Sequence, residues 1–147
     1  MGMTVVVMGC GRVGARIASI LDHYGHRVTV VDTDSSSFRR LSPDFSGETI
    51  IGTGIDEDVL KSAGIEEAAA FVAVTNGDNR NIMAAQVARL VFDVPEVICR
   101  IYDPVREDTY RRLGLTTVCP TTTISAQILD HIIGAGSGPA IGRAGEV

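Results

Sequence analysis

The chain has 147 residues, 45% of them apolar and 21% charged, with no Trp and a formal net charge of −5. That length buries one real core as a single domain, and the few aromatics make the core aliphatic, as in buried parallel strands. The acidic balance argues against nucleic acid or an anionic membrane surface as a partner. No apolar run approaches the roughly 20 residues of a membrane span.

The N-terminus shows no basic stretch leading into an apolar one, so no secretory signal is expected. Cys10, Cys99 and Cys119 are odd in number, far apart, and each in or beside an apolar run. They read as small core residues in a reducing compartment. No Cys or His pair has metal-ligand spacing.

Taken in order, Thr4–Met8 is a valine-rich run and reads as a buried strand. A helix is expected over 12–24, with Val13, Ile17, Ile20 and Leu21 as its apolar stripe and Gly25 as its stop. Strand two is 27–31. Asp34 or Ser35 caps a short helix to residue 41, and 43–47 is a loop. Strand three is Glu48–Ile51, ending in Gly52-Thr53-Gly54. Asp56 caps a helix to residue 63, closed by Gly64. Strand four is 70–75, and after Asn76-Gly77-Asp78 a long helix runs over 79–92. Strand five is 97–102. Pro104 opens a helix to residue 113, strand six is 117–119, and the last helix is 122–133.

Strands alternating with helices predict an α/β doubly wound parallel sheet with helices on both faces. Its six strands take the Rossmann-like order 3-2-1-4-5-6. Residues 1–133 form this domain. Residues 134–147 hold five Gly in fourteen positions and read as a flexible tail or linker.

The strongest local signal is Gly9-Cys10-Gly11-Arg12-Val13-Gly14, between a strand and a helix. Gly9 turns the chain off the strand, Gly11 clears space for a phosphate, and Gly14 lets the helix pack on the sheet. The helix N-terminus then faces the phosphates with free amides and its positive dipole end. Asp32 lies eighteen residues beyond Gly14, at the end of strand two. That is the place of the ribose-binding acid in the dinucleotide fingerprint.

With Gly25-His26 before strand two, these residues resemble the nucleotide-binding domain of the RCK/KTN family, also called TrkA-N. The resemblance continues through Asp58-Val59-Leu60-Lys61-Ser62-Ala63-Gly64-Ile65-Glu66-Glu67-Ala68. It runs on in Val74-Thr75-Asn76-Gly77-Asp78 with Asn81, Arg100 with Asp103-Pro104, and Gly114 with Val118 and Pro120. It covers the chain to about Ile133.

The resemblance implies a Rossmann domain that binds NAD(H) or ATP/ADP without turning it over. It implies a homodimer, in some members a higher ring, that regulates the membrane subunit of a potassium channel or transporter. The location implied is cytoplasmic, peripheral to the inner face of the plasma membrane. Where the family usually has Gly-Asp after strand three, this chain has Gly52-Thr53, which leaves base preference open. Family members commonly continue into a small C-terminal ligand-binding domain, which leaves open whether the chain is an excised domain of a longer protein.

The candidate nucleotide-binding residues are Gly9, Cys10, Gly11, Arg12, Val13 and Gly14, Asp32 with its neighbour Thr33, Gly52, Thr53, Thr75, Asn76 and Arg100. Asp32 can accept bonds from both ribose hydroxyls and repel a 2′-phosphate; its alternative is a cap for the next turn. Arg12 can offer a fork to phosphate, on its own chain or a neighbouring subunit, or remain solvated. Thr75-Asn76 ends strand four beside the crevice, or serves turn chemistry with Gly77. Arg100 inside an apolar run needs a partner. Pairing with Asp78 or Asp103 is expected ahead of pointing into the crevice.

His23, His26 and His131 have no expected chemical role. The stripe Ile124, Ile128, Ile132 with Leu129 packs on its own sheet or on a second subunit. Two other function classes stand beside the regulatory one: an NAD-dependent oxidoreductase, and an oligomerisation module for another membrane protein. The first needs a substrate domain and an acid–base pair that the sequence does not offer.

Overall fold

The structure is a computed structural model that describes residues 2–134. The tail expected beyond residue 134 lies outside the described residues.

Six parallel strands form one sheet in the order β3-β2-β1-β4-β5-β6. They are β1 (Thr4–Met8), β2 (Arg27–Asp32), β3 (Glu48–Ile51), β4 (Ala70–Ala73), β5 (Glu96–Arg100) and β6 (Thr116–Val118). The helices are α1 (Arg12–His23), α2 (Glu57–Ser62), α3 (Asp78–Gln86), α4 (Pro104–Arg112) and α5 (Pro120–Ile133). Short 3-10 helices occupy Ser35–Arg40 and Ile65–Glu67, and α3 runs on into a π-helical turn, Val87–Val91.

The side chains of β1 alternate between two cores, as the period of a strand requires. Val6 and Met8 join Phe71 and Ala73 of β4 under Leu60 of α2 and Ile82 and Ala85 of α3. Val5 and Val7 join Val28, Val30 and Val72 under Ala15 and Ala18 of α1. This is the doubly wound arrangement that the sequence predicts, and β1 lies between β2 and β4 at its switch point.

The expected stripe on α1 is partly wrong. Ile17 and Leu21 pack on the sheet, but Val13 and Ile20 are exposed. The fully buried positions are Gly14, Ala15 and Ala18, whose small side chains let the helix axis come close to the strands. Strands β4 and β5 end two residues earlier than expected, at Ala73 and Arg100, because side-chain bonds take over from the ladder there.

Helix α5 differs most. None of its residues is buried, and Ile124, Ile128 and Ile132 are 53%, 54% and 72% exposed. The expected packing on its own sheet is not what this single chain shows.

Candidate functional site

The glycine loop is shaped by two contacts. Gly9 has φ +106°, a conformation that disfavours any side chain, and its amide donates to the Val31 carbonyl at 2.8 Å. A Cβ on Gly14 would stand 1.8 Å from the Gly9 carbonyl oxygen, so only glycine lets α1 start this close to β1. A Cβ on Gly11 would meet nothing within 4 Å, which leaves open space over the loop. The first ladder bond of α1 is Ala15 N–H to Gly11 O. The amides of Arg12, Val13 and Gly14 therefore precede the ladder, as at any helix start.

Asp32 faces this loop from the end of β2. Its Oδ2 accepts the Cys10 amide at 2.7 Å and its Oδ1 the Asp34 amide at 2.8 Å. Each carboxylate oxygen accepts two hydrogen bonds, so both keep capacity for a ligand hydroxyl. The cap of the next helix is Asp34, which accepts from Ser36. Two hydrogen bonds from Ser36, one from its hydroxyl and one from its amide, hold the Asp34 carboxyl below its ordinary range. Asp32 thus also caps the turn that follows β2, through the Asp34 amide, while the cap of the next helix is Asp34.

A cleft of about 260 Å³ opens between these elements, just below the usual size of ligand pockets. Strands β1 to β5 all present their C-terminal ends to it, through Gly9, Asp32, Gly52, Val74 and Arg100. Gly11, Thr33, Thr53, Thr75 and Asn76 also line it. So nine of the thirteen candidates converge on one cleft.

The other four lie behind or beside it. The Cys10 side chain is buried beneath the loop in the α1-side core, with its thiol pushed up by burial and then by Asp32. Gly14 is packing. Arg12 and Val13 are exposed and do not line the cleft.

The β4 end of the cleft is organised by Asn81, which is fully buried. Its Oδ1 accepts the Thr75 amide at 2.9 Å and the Thr75 hydroxyl at 2.6 Å. Its Nδ2 donates to the carbonyls of Thr75 and Arg100, both at 2.9 Å. Asn81 thus fastens the end of β4 to the end of β5.

Arg100 differs from expectation. Asp78 instead accepts the amides of Tyr102 and Asp103 and lies 4.0 Å from Arg106. The Arg100 guanidinium donates from Nη2 to the carbonyls of Val74 (2.7 Å) and Thr75 (2.9 Å), and its carbon lies 4.9 Å from the Tyr102 ring centroid. Main-chain oxygens converging beyond the strand ends outcompete the carboxylates. Its Nε is buried without a partner.

Two cleft arginines escaped the sequence reading. Arg40 donates to the Cys10 carbonyl at 3.4 Å, and Arg80 donates to Asn76 Oδ1 at 2.9 Å. The signal for Arg40 was its spacing of three from Ser37, one turn of a 3-10 helix; Ser37 lines the cleft as well. The signal for Arg80 is its spacing of four from Asn76, which lies just before the cap of α3.

The TrkA-N domain family model matches residues 5–121. The chain belongs to the TrkA-N family. It is 50% identical over 137 residues to the Trk system potassium uptake protein TrkA of Streptomyces coelicolor, covering 93% of this chain and 61% of that protein. The chain thus spans less than two thirds of that relative. Two solved structures share the fold. The Shewanella denitrificans Kef C-terminal domain in its AMP-bound form has a TM-score of 0.72, 20% identity, and coverage of 91% of this chain and 84% of that one. The GsuK channel bound to NAD has a TM-score of 0.69 and 19% identity, over 88% of this chain and 23% of that one.

Proposed function

We propose that this TrkA-N chain is the nucleotide-sensing regulatory domain of a potassium uptake or channel system. It binds NAD(H) or ATP/ADP in the cleft, leaves it chemically unchanged, and reports its presence to a potassium-conducting membrane subunit through a homodimer or ring. The observation that carries this is Asp32, held by two amides opposite an open glycine loop. Ribose hydroxyls at Asp32 put the phosphates over Gly9 and Gly11, against the start of α1. Arg12, exposed at the first position of α1, reaches those phosphates from the solvent side or from a neighbouring subunit. Thr53 meets the base end with a hydroxyl in place of the charge usual in the family.

The lining favours binding over chemistry. Among the described residues it includes one carboxylate, Asp32, and no His, Lys, Tyr or Cys. Such a lining supports binding over hydride transfer, which calls for an acid–base pair. AMP and NAD in the two structural neighbours support an adenine nucleotide as the ligand class, and the potassium uptake relative supports the partner class. No helix among the described residues is long and apolar enough to cross a membrane. To regulate, the nucleotide must bind one conformation of the assembly better than another.

Calorimetric titration with ADP and NADH tests the reading. Asp32→Ala should weaken both by roughly 1–3 kcal/mol, the scale of lost charge-assisted bonds. Unchanged affinity for both contradicts it.

A further inference from the structure

The cleft is cationic although the chain is acidic. Arg40, Arg80 and Arg100 line it against the single carboxylate of Asp32. Among the described residues none of the three arginines has a carboxylate in ion-pair range. Two of them, Arg80 and Arg100, stand at the β4 end, on the far side of the glycine loop from Asp32.

Arg80 is seated there by its surroundings. Its Nη2 donates to Asn76 Oδ1, and the guanidinium lies against Gly77. A Cβ on Gly77 would stand 2.9 Å from Arg80 Nε and 3.0 Å from Nη2. Gly77 has φ −116° and ψ 115°, extended backbone open to any residue. The glycine is thus not required by the turn; it leaves room for the guanidinium. Beside it Arg100 has a buried Nε with no partner. Asp78, which could neutralise this end, is turned away onto the Tyr102 and Asp103 amides.

We propose that Arg80, seated on Gly77 and held by Asn76, is a specificity-determining cation that makes the β4 end of the cleft a seat for the terminal phosphate of a nucleoside polyphosphate. The inference rests on the nucleotide reading and deepens it. With the ribose at Asp32 and the first phosphates over Gly9 and Gly11, the next group reaches Thr75, Asn76 and Arg80. In ATP that group is the γ-phosphate, an anion that a guanidinium fork binds well. In a nicotinamide dinucleotide it is an uncharged ribose, followed by a ring that is neutral or cationic. The same site therefore prefers the polyphosphate.

Titration of the full 147-residue chain with ATP, AMP and NADH is the test, on wild type, Arg80→Gln and Gly77→Ala. Wild type should bind ATP more tightly than NADH. Arg80→Gln should lower the ATP-to-NADH affinity ratio about tenfold, the size of one charged hydrogen bond. Gly77→Ala keeps the charge but displaces the guanidinium, so it should lower the same ratio by at least threefold. Thermal melts of both variants should stay close to wild type, since only the end of a flexible side chain has to move.

Equal losses for ATP and NADH, or no loss, overturn the selection while leaving nucleotide binding in place. A loss in Arg80→Gln with full ATP binding by Gly77→Ala overturns the seat, because charge alone would then suffice. Failure of wild type to bind any of the three overturns this proposal together with the nucleotide reading.

Discussion

Asn81 carries four side-chain hydrogen bonds at full burial, which uses every donor and acceptor of its amide. Asn81→Ala would strand the Thr75 amide and the Arg100 carbonyl and release the two strand ends from each other. A cost of roughly 2–4 kcal/mol in urea unfolding is expected, since buried orphaned groups carry their full desolvation penalty. Gly14→Ala acts at the other side of the cleft. Its Cβ would sit 1.8 Å from the Gly9 carbonyl oxygen, so α1 must shift off the sheet. Overpacking of this kind costs about 1–3 kcal/mol, and the same unfolding experiment should show it together with weaker ADP binding.

These residues also show which parts of the site a sequence reveals. Gly9, Gly11 and Asp32 were legible because the fingerprint is written locally, as a strand, a turn, a helix and a second strand end. Arg40 and Arg80 are less so, because their approach to the cleft depends on how β2 and β4 flank β1. For Arg100 the sequence offers the carboxylates of Asp78 and Asp103 as partners. Its partners are the Val74 and Thr75 carbonyls, which β4 brings alongside β5.

Among the elements, strand identity and order were legible throughout, since valine-rich runs and Gly or Asp boundaries mark them. Helix faces were less so. The stripe on α1 followed the largest apolar residues, whereas the contact is made by Gly14, Ala15 and Ala18. The long helix expected over 79–92 changes at Val87 to a π-helical turn, and Asp93 leaves it at φ 56°, a conformation that Asp tolerates.

Helix α5 shows its isoleucines to solvent, in a stripe too continuous to be scattered surface apolars. A second subunit covering it is the expectation that the exposure favours. Light scattering should report a dimer at micromolar concentration and a monomer for Ile128→Glu. The melting temperature of that variant should match a wild-type sample diluted to monomer. A wild-type monomer contradicts this, and so does a variant that unfolds.

At the scale of the molecule, burial sets a pH limit. Cys99 is fully buried, and burial, followed by the nearby Asp78 charge, pushes its thiol from 9.0 to about 12. The unfolded chain ionises this thiol from about pH 9, while the folded chain keeps the proton. This contribution to stability is therefore complete below pH 9 and is lost as the pH rises toward 12. Urea unfolding midpoints for wild type should fall across that window, and those of Cys99→Ala should fall less.

The charge is distributed as the proposed nucleotide binding requires. A chain of net charge −5 gathers three arginines around one cleft, so an anionic ligand is drawn to that opening. The most direct measurement is an amide chemical-shift map of the labelled chain titrated with ADP. The largest shifts are expected at Gly11, Arg12, Val13, Thr33, Thr75 and Asn76, around the single cleft at the strand ends. Saturable shifts centred instead on the groove at the opposite edge, around Ser19, Asp22 and Ser46, or no saturable shifts at all, would contradict the account.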